Sequence, residues 1–514
     1  MNRQIRKAGT FLALCYLALF VQLNVVQVAT AKSLNDKPGN SRKVERDFNR
    51  PRGDIVTADG KVVAHSVEGD GRFAYQRTYP TDELFAQIIG TYSFVFGSDG
   101  VEKYYDEQLS GQSAEFQLKG LLSPFTETPN VGTVELTLRA DVQSAAREAL
   151  GTKVGSVVAI DPRSGALLAM WSYPSFNPNL TSTNDTMTAR AFRTALAADP
   201  AKPTLPKTYR ERYFPGSTFK VVTAAAGLES GVITADSPDF PVARNYTAPL
   251  TNRPLSNFGG SSCGGTLVAI LRVSCNSAFA QMGAEYIGPE QMVRTAEKFG
   301  FGSAPNIDLP KPVSSVFPTD YGKRLRDGAV PGGAGIFENT PALAQASIGQ
   351  GDVSATPLQM ALVAATIANS GNQMTPHVMS SIRDGSGATI KEYSDSVATA
   401  AISKENAAIL RAAMIEVVTD GTAKAAAIDG VDVGAKTGTA QLGTPVPSSH
   451  AWVITFAGPP GQPATVAVAV LVQAQPGASE QTGGTVAAPI ANKVMQAALT
   501  PIPSSKPAGP TPGS

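Results

Sequence analysis

The sequence predicts an α+β fold: an antiparallel sheet flanked by helices, preceded by a small N-terminal module and one apolar N-terminal helix. Three observations carry this. A strand–turn–strand pattern lies at 154–171 and a second at 451–472. Helical stretches fill the interval between them, the arrangement of a sheet closed by distant chain ends and covered by what lies between. An apolar run near the N-terminus is long enough to span a bilayer.

In chain order, Arg3, Arg6 and Lys7 precede an apolar run from Ala8 to Val21, which continues more weakly to Ala31. A spanning helix needs about 20 mostly apolar residues, whereas Ala29-Thr30-Ala31 fits a signal cleavage site. The segment alone leaves anchor and cleaved signal open. In both cases the basic flank stays inside and the rest is exported. Residues 32–52 are crowded with charge and read as a solvated stalk. From Ile55 to Leu138, short apolar runs broken by Gly, Asp and Pro indicate small strands and a helix. Thr137 to Leu150 has helical periodicity through Val142, Ala145, Ala146 and Leu150, and Gly151 ends it.

Val154–Ile160, the turn Asp161-Pro162-Arg163-Ser164-Gly165 and Ala166–Trp171 form a hairpin signal. Helices follow at Ser217–Ser230, Pro357–Ser370 and Lys404–Val418, and a second strand pair at Ala451–Ala457 and Thr465–Val472. Pro501–Ser514 has the composition of a disordered tail. The resulting division is 1–31 for cytoplasmic tip and anchor, 32–150 for the module, 151–500 for the main domain and 501–514 for the tail.

Composition narrows the function. The 514 residues are 42% hydrophobic and 17% charged, with a formal net charge of +1. That is a globular composition, with no basic bias toward nucleic acid. The three histidines are too scattered for a metal site, and no cofactor motif stands out. Cys263 and Cys275 can pair in an oxidising compartment; the sequence leaves the pairing open.

Chemistry is concentrated in three short stretches. In Phe214-Pro215-Gly216-Ser217-Thr218-Phe219-Lys220, a Pro-Gly break precedes an apolar helix, so Ser217 sits near the helix start with Lys220 on the same face. A serine hydroxyl needs a neighbouring base, and a desolvated lysine beside another cation is one. In Ser274-Cys275-Asn276, a hydroxyl and an amide can relay a proton and hold a substrate amide. In Lys436-Thr437-Gly438-Thr439, a strand offers a cation and two hydroxyls to a carboxylate, with a glycine that a ligand backbone can approach. Each stretch alone has a plainer structural reading as a helix cap, a turn or an exposed strand lysine. Together, in this order and 57 and 162 residues apart, they carry far more weight.

On these motifs the chain resembles the class B penicillin-binding proteins, in particular their actinobacterial PbpA-like branch. Arg52-Gly53-Asp54-Ile55 and Gly100-Val101-Glu102-Lys103-Tyr104-Tyr105-Asp106 resemble N-terminal elements of that class. Ser347-Ile348-Gly349-Gln350-Gly351, Thr356-Pro357-Leu358-Gln359-Met360 and His450-Ala451-Trp452 resemble stretches around its transpeptidase site. The resemblance implies a penicillin-binding, serine β-lactamase-like transpeptidase fold and a D,D-transpeptidase that cross-links peptidoglycan stem peptides and is acylated by β-lactams. Ser217 is then the nucleophile, Lys220 its base and Ser274 the relay to the leaving amine. Asn276 binds the donor amide, and Lys436, Thr437, Gly438 and Thr439 form the carboxylate site. The backbone N–H groups of Ser217 and Thr439 become the oxyanion donors. It further implies an uncleaved single-pass anchor, an extracytoplasmic catalytic domain and a polytopic glycosyltransferase partner of the SEDS type. A D,D-carboxypeptidase or β-lactamase, or a non-catalytic sensor or scaffold, are the rival readings.

Overall fold

The computed structural model describes residues 2–26, 41–69, 71–122, 130–442, 448–474 and 481–502. Helix α1 (Asn2–Asn24) is exposed along its described length. It is the one helix among the described residues long and apolar enough to cross a membrane. Residues 29–31, the first part of the stalk (32–40) and the tail from residue 503 lie outside the described residues.

The N-terminal module contributes β1 (Ile55–Val56), β2 (Val62–Glu68), β3 (Tyr75–Thr78), α2 (Gly100–Tyr104) and β4 (Thr133–Leu136). Helix α3 (Ala140–Leu150) starts three residues later than its periodicity predicts, because the preceding strand runs to Leu136 and Thr137 still donates its N–H across to Val378 O. The hairpin β5 (Gly155–Ile160) and β6 (Leu167–Tyr173) follows. The stretch from Ser217 splits into a 3₁₀ turn at Gly216–Phe219 and helix α4 (Lys220–Ser230), closed by Gly231 in the left-handed region. Next come α5 (Leu267–Arg272), α6 (Asn276–Gln281), α7 (Pro357–Ala368), β7 (Met379–Arg383), β8 (Thr389–Glu392) and α8 (Lys404–Thr419). The chain ends in β9 (Asp432–Gln441), β10 (Ser449–Gly458), β11 (Val466–Val472) and α9 (Ala488–Leu499).

The larger part is built on a five-stranded antiparallel sheet in the order β9-β10-β11-β5-β6. Every residue of β5 and β11 is buried, which requires cover on both faces. Helices α3 and α9 pack on one face and α7 and α8 on the other. Helix α7 is apolar but for Gln359 and Thr366 and is buried at all twelve positions, as a helix enclosed on every side must be.

The second sheet runs β8-β7-β4-β1-β2-β3, with β1 and β4 parallel and the other pairs antiparallel. Strands β7 and β8 therefore come from far beyond residue 151, a join that the sequence reading did not foresee. Ile382 pairs with Val134, and both are buried. The two N-terminal stretches that carry the family resemblance meet in this module. Arg52 Nε and Arg77 Nε each lie 2.6 Å from a Glu102 carboxylate oxygen, and all three residues are buried. Burial pushes the Glu102 carboxyl up, but Arg77 and Arg52 outweigh it and hold it below the usual range.

Candidate active site

The three chemical stretches converge on one cleft of about 1000 Å³. Ser217 lies in the 3₁₀ turn ahead of α4. The turn is clamped from three sides. Gly216 has φ +53°, and a Cβ there would press to 3.1 Å on Ala440 of β9. Trp452 Nε1 of β10 donates to Phe214 O at 3.0 Å, and Phe219 stacks on Phe317 at 5.2 Å.

Lys220 opens α4 and is fully buried. Its Nζ donates to Ser274 O at 2.7 Å and Asn276 Oδ1 at 2.7 Å, with the Ser274 hydroxyl at 3.2 Å. Lys436, also fully buried, donates to Ser274 Oγ at 2.8 Å and to Thr437 O at 2.9 Å. Burial, and then the neighbouring Lys436 charge, hold the Lys220 amine well below its ordinary pKa. Burial alone lowers Lys436 to about 7. A neutral amine has two N–H groups and one lone pair. The Ser274 carbonyl and the Asn276 oxygen take the two N–H groups, leaving the lone pair of Lys220 to act as a base. Among the described residues the Ser217 hydroxyl has no hydrogen-bond partner of its own.

The loop carrying Ser274 is held tightly. Ser274 has φ +61°, a strained conformation for a residue with a side chain. Directly after it, Cys275 is disulfide-bonded to Cys263, which answers the pairing left open by the sequence. Asn276 Nδ2 donates to Ser256 O at 3.0 Å, and Asn257 Oδ1 accepts from Ser277 N at 2.8 Å.

Strand β9 is the edge of its sheet, paired on one side only. Its Thr437 and Thr439 line the cleft. Lys436 does not line it and lies behind Ser274 instead. A Cβ on Gly438 would lie 3.0 Å from both Pro215 O and Thr218 Cγ2. The missing side chain thus lets β9 pass close to the Ser217 turn. Sequence reasoning missed one contributor, Thr422, and gave no role to two others, Trp452 and Gly483. Thr422 Oγ1 shares a 2.6 Å hydrogen bond with Thr437 Oγ1. Trp452 pins the serine turn. At Gly483 a Cβ would be 1.9 Å from Trp452 O. Trp452 left a trace in the sequence through the family resemblance of His450-Ala451-Trp452, and so did the Gly483-Gly484 pair, which resembles the family's closing helix.

Comparison with known proteins agrees with this geometry. Residues 155–496 match the family model of the penicillin binding protein transpeptidase domain, and residues 52–134 that of the penicillin binding protein A dimerisation domain. The chain is 37% identical to the peptidoglycan D,D-transpeptidase PbpA of Mycolicibacterium smegmatis, over 97% of this chain and 99% of that one. It is 36% identical to the protein of the same name from Mycobacterium tuberculosis, again over 97% and 99%. Among solved structures, the ceftriaxone acyl-enzyme complex of M. tuberculosis penicillin-binding protein A superposes with a TM-score of 0.79 at 34% identity, covering 88% of this chain and all of that one. The penicillin G acyl-enzyme complex of that protein superposes with a TM-score of 0.77, at the same identity and coverage. On sequence, fold and cleft alike, the chain belongs to the penicillin-binding protein transpeptidase family.

Proposed function

We propose that this chain is a serine D,D-transpeptidase that cross-links peptidoglycan stem peptides and is acylated by β-lactams. The observation that carries the reading is the convergence of two buried lysine amines on the Ser274 hydroxyl, in the cleft that Ser217 lines. Ser217 Oγ attacks the carbonyl between the last two D-alanines, and neutral Lys220 takes its proton. The tetrahedral oxyanion is held by the Ser217 and Thr439 backbone N–H groups; one such donor contributes about 3 kcal/mol. The C–N bond breaks, Ser274 passes a proton to the departing D-alanine amine, and an ester on Ser217 remains. The amine of a neighbouring stem attacks that ester and restores the hydroxyl. Asn276 holds the donor amide. Thr437 and Thr439 bind the terminal carboxylate directly, and Lys436 supports it from behind Ser274. The edge strand β9 offers the donor peptide a backbone to pair with.

A hydrolase on this fold needs a base that activates water for fast deacylation. Among the described residues no Asp or Glu lines the cleft, which favours a long-lived adduct. The deciding experiment labels the purified chain with a fluorescent penicillin beside Ser217→Ala. A stable adduct in the first and none in the second is the expected outcome. Labelling of the variant, or rapid turnover of the penicillin, overturns the reading.

We also propose that residues 151–500 hold the chemistry, that 32–150 act as a non-catalytic pedestal, and that α1 anchors the folded part outside the cell membrane. Arg3, Arg6 and Lys7 ahead of the apolar run and the Cys263–Cys275 disulfide support this orientation. Protease added to intact spheroplasts should digest the folded part; protection of it refutes the orientation. Class membership points to a SEDS-type glycosyltransferase partner. Co-purification from detergent extracts tests this, and recovery without any polytopic glycosyltransferase argues against it.

A further inference from the structure

We propose that Arg253 reads a carboxylate on a side chain of the acyl donor, upstream of the scissile bond. This inference rests on the transpeptidase reading above. Two cations, Arg253 and Lys424, stand on the surface of the cleft, and among the described residues no carboxylate lines it. Lys424 has a partner in Asp420 at 3.3 Å. Among the described residues, the Arg253 guanidinium has no ion pair or hydrogen bond; its backbone N–H alone donates, to Thr251 Oγ1.

The wall that carries Arg253 is rigid and fixed relative to the catalytic loop. Leu255 and Ser256 pair with Tyr246 and Asn245. Ser256 O accepts from Asn276 Nδ2 at 3.0 Å. Asn257 is buried and donates from Nδ2 to Ala243 O at 2.8 Å and Ser261 O at 3.0 Å. The Cys263–Cys275 disulfide ties the far end of the wall to the residue between Ser274 and Asn276.

Phe258 on this wall and Val273, next to Ser274, line the cleft while 48% and 45% exposed. Their apolar surface lines the same cleft as a guanidinium with unused donors. A side chain with a carbon stem and a terminal carboxylate matches both features: the stem lies on Phe258 and Val273, and the carboxylate takes the planar fork of Arg253. Because Asn276 is hydrogen-bonded to this wall, a donor held at Asn276 presents its upstream side chain next to it.

The test uses two penicillins that differ by one carboxylate on the acyl side chain, carbenicillin and benzylpenicillin, against the full-length chain in detergent. Their second-order acylation constants are compared in the wild type, Arg253→Gln and Lys424→Gln. The expected result is that the carbenicillin-to-benzylpenicillin ratio falls about five-fold in Arg253→Gln, the scale of a solvent-exposed charge pair, and holds in Lys424→Gln. An unchanged ratio in Arg253→Gln overturns the proposal, and so does an equal fall in Lys424→Gln. If wild-type Ser217 accepts neither penicillin, the transpeptidase reading fails first, which is a distinguishable outcome.

Discussion

Lys436 Nζ lies 2.8 Å from the hydroxyl oxygen of Ser274, the same oxygen that Lys220 reaches at 3.2 Å. The two amines therefore share a field, and a proton on one disfavours a proton on the other.

Removing the Lys436 charge should raise the Lys220 pKa. Acylation needs neutral Lys220, so its acid limb should move to higher pH in Lys436→Met than in the wild type. The pH profile of the penicillin acylation constant measures this. A limb that stays put, or moves down, contradicts the coupling.

The same burial links stability to pH. Folded Lys436 titrates near 7, against about 10.4 in an unfolded chain. Between these values the unfolded state binds a proton that the folded state lacks, so stability rises with pH. The cost of burying the charge is fully present below pH 7. Lys436→Met should thus raise the melting temperature most below pH 7, with the gain shrinking toward pH 10. Melting curves at several pH values decide; a gain that grows with pH refutes the assignment.

Gly438→Ala places a methyl 3.0 Å from Pro215 O and Thr218 Cγ2. Either β9 or the serine turn must shift by a few tenths of an ångström. Misplacing a nucleophile on the scale of 1 Å costs up to about 100-fold in rate. Acylation should slow by roughly 10-fold or more in a chain that still folds by circular dichroism. Wild-type acylation in the folded variant would show that the turn absorbs the methyl.

Glu102→Gln leaves Arg52 and Arg77 buried without their shared counter-charge. Breaking a buried pair typically costs about 3–5 kcal/mol. The melting temperature should drop, while the acylation constant at 20 °C stays near wild type, because Glu102 lies in the N-terminal module. A parallel loss of acylation would tie the module to the chemistry.

Much of this architecture was readable in advance, and the reasons are local. The strands at 155–173 and 449–472 declare themselves through β-branched and small apolar runs around turn residues. Helices α7 and α8 do so through length and apolar content. Ser217, Lys220, Ser274 and Lys436 were recognisable because the three stretches that hold them resemble, in order and local context, the motifs of the penicillin-binding family. What escaped depends on depth and partnership. Nothing in the Lys436 stretch says that the amine sits behind Ser274 instead of in the open cleft. Thr422 became visible only once its hydroxyl met that of Thr437. The pairing of β4 with β7 joins Leu136 to Met379 across more than two hundred residues, a distance over which local pattern carries no information.

That pairing has a consequence for biosynthesis. A chain still being made, with its growing end short of residue 379, has no β7 to lay against β4, so the peptide groups along that margin remain bare. The N-terminal sheet must wait for a stretch made long after it, and a fragment ending near residue 150 should clump or bind chaperones instead of folding. In this chain the two parts share one sheet, and cutting between them leaves an unfinished piece.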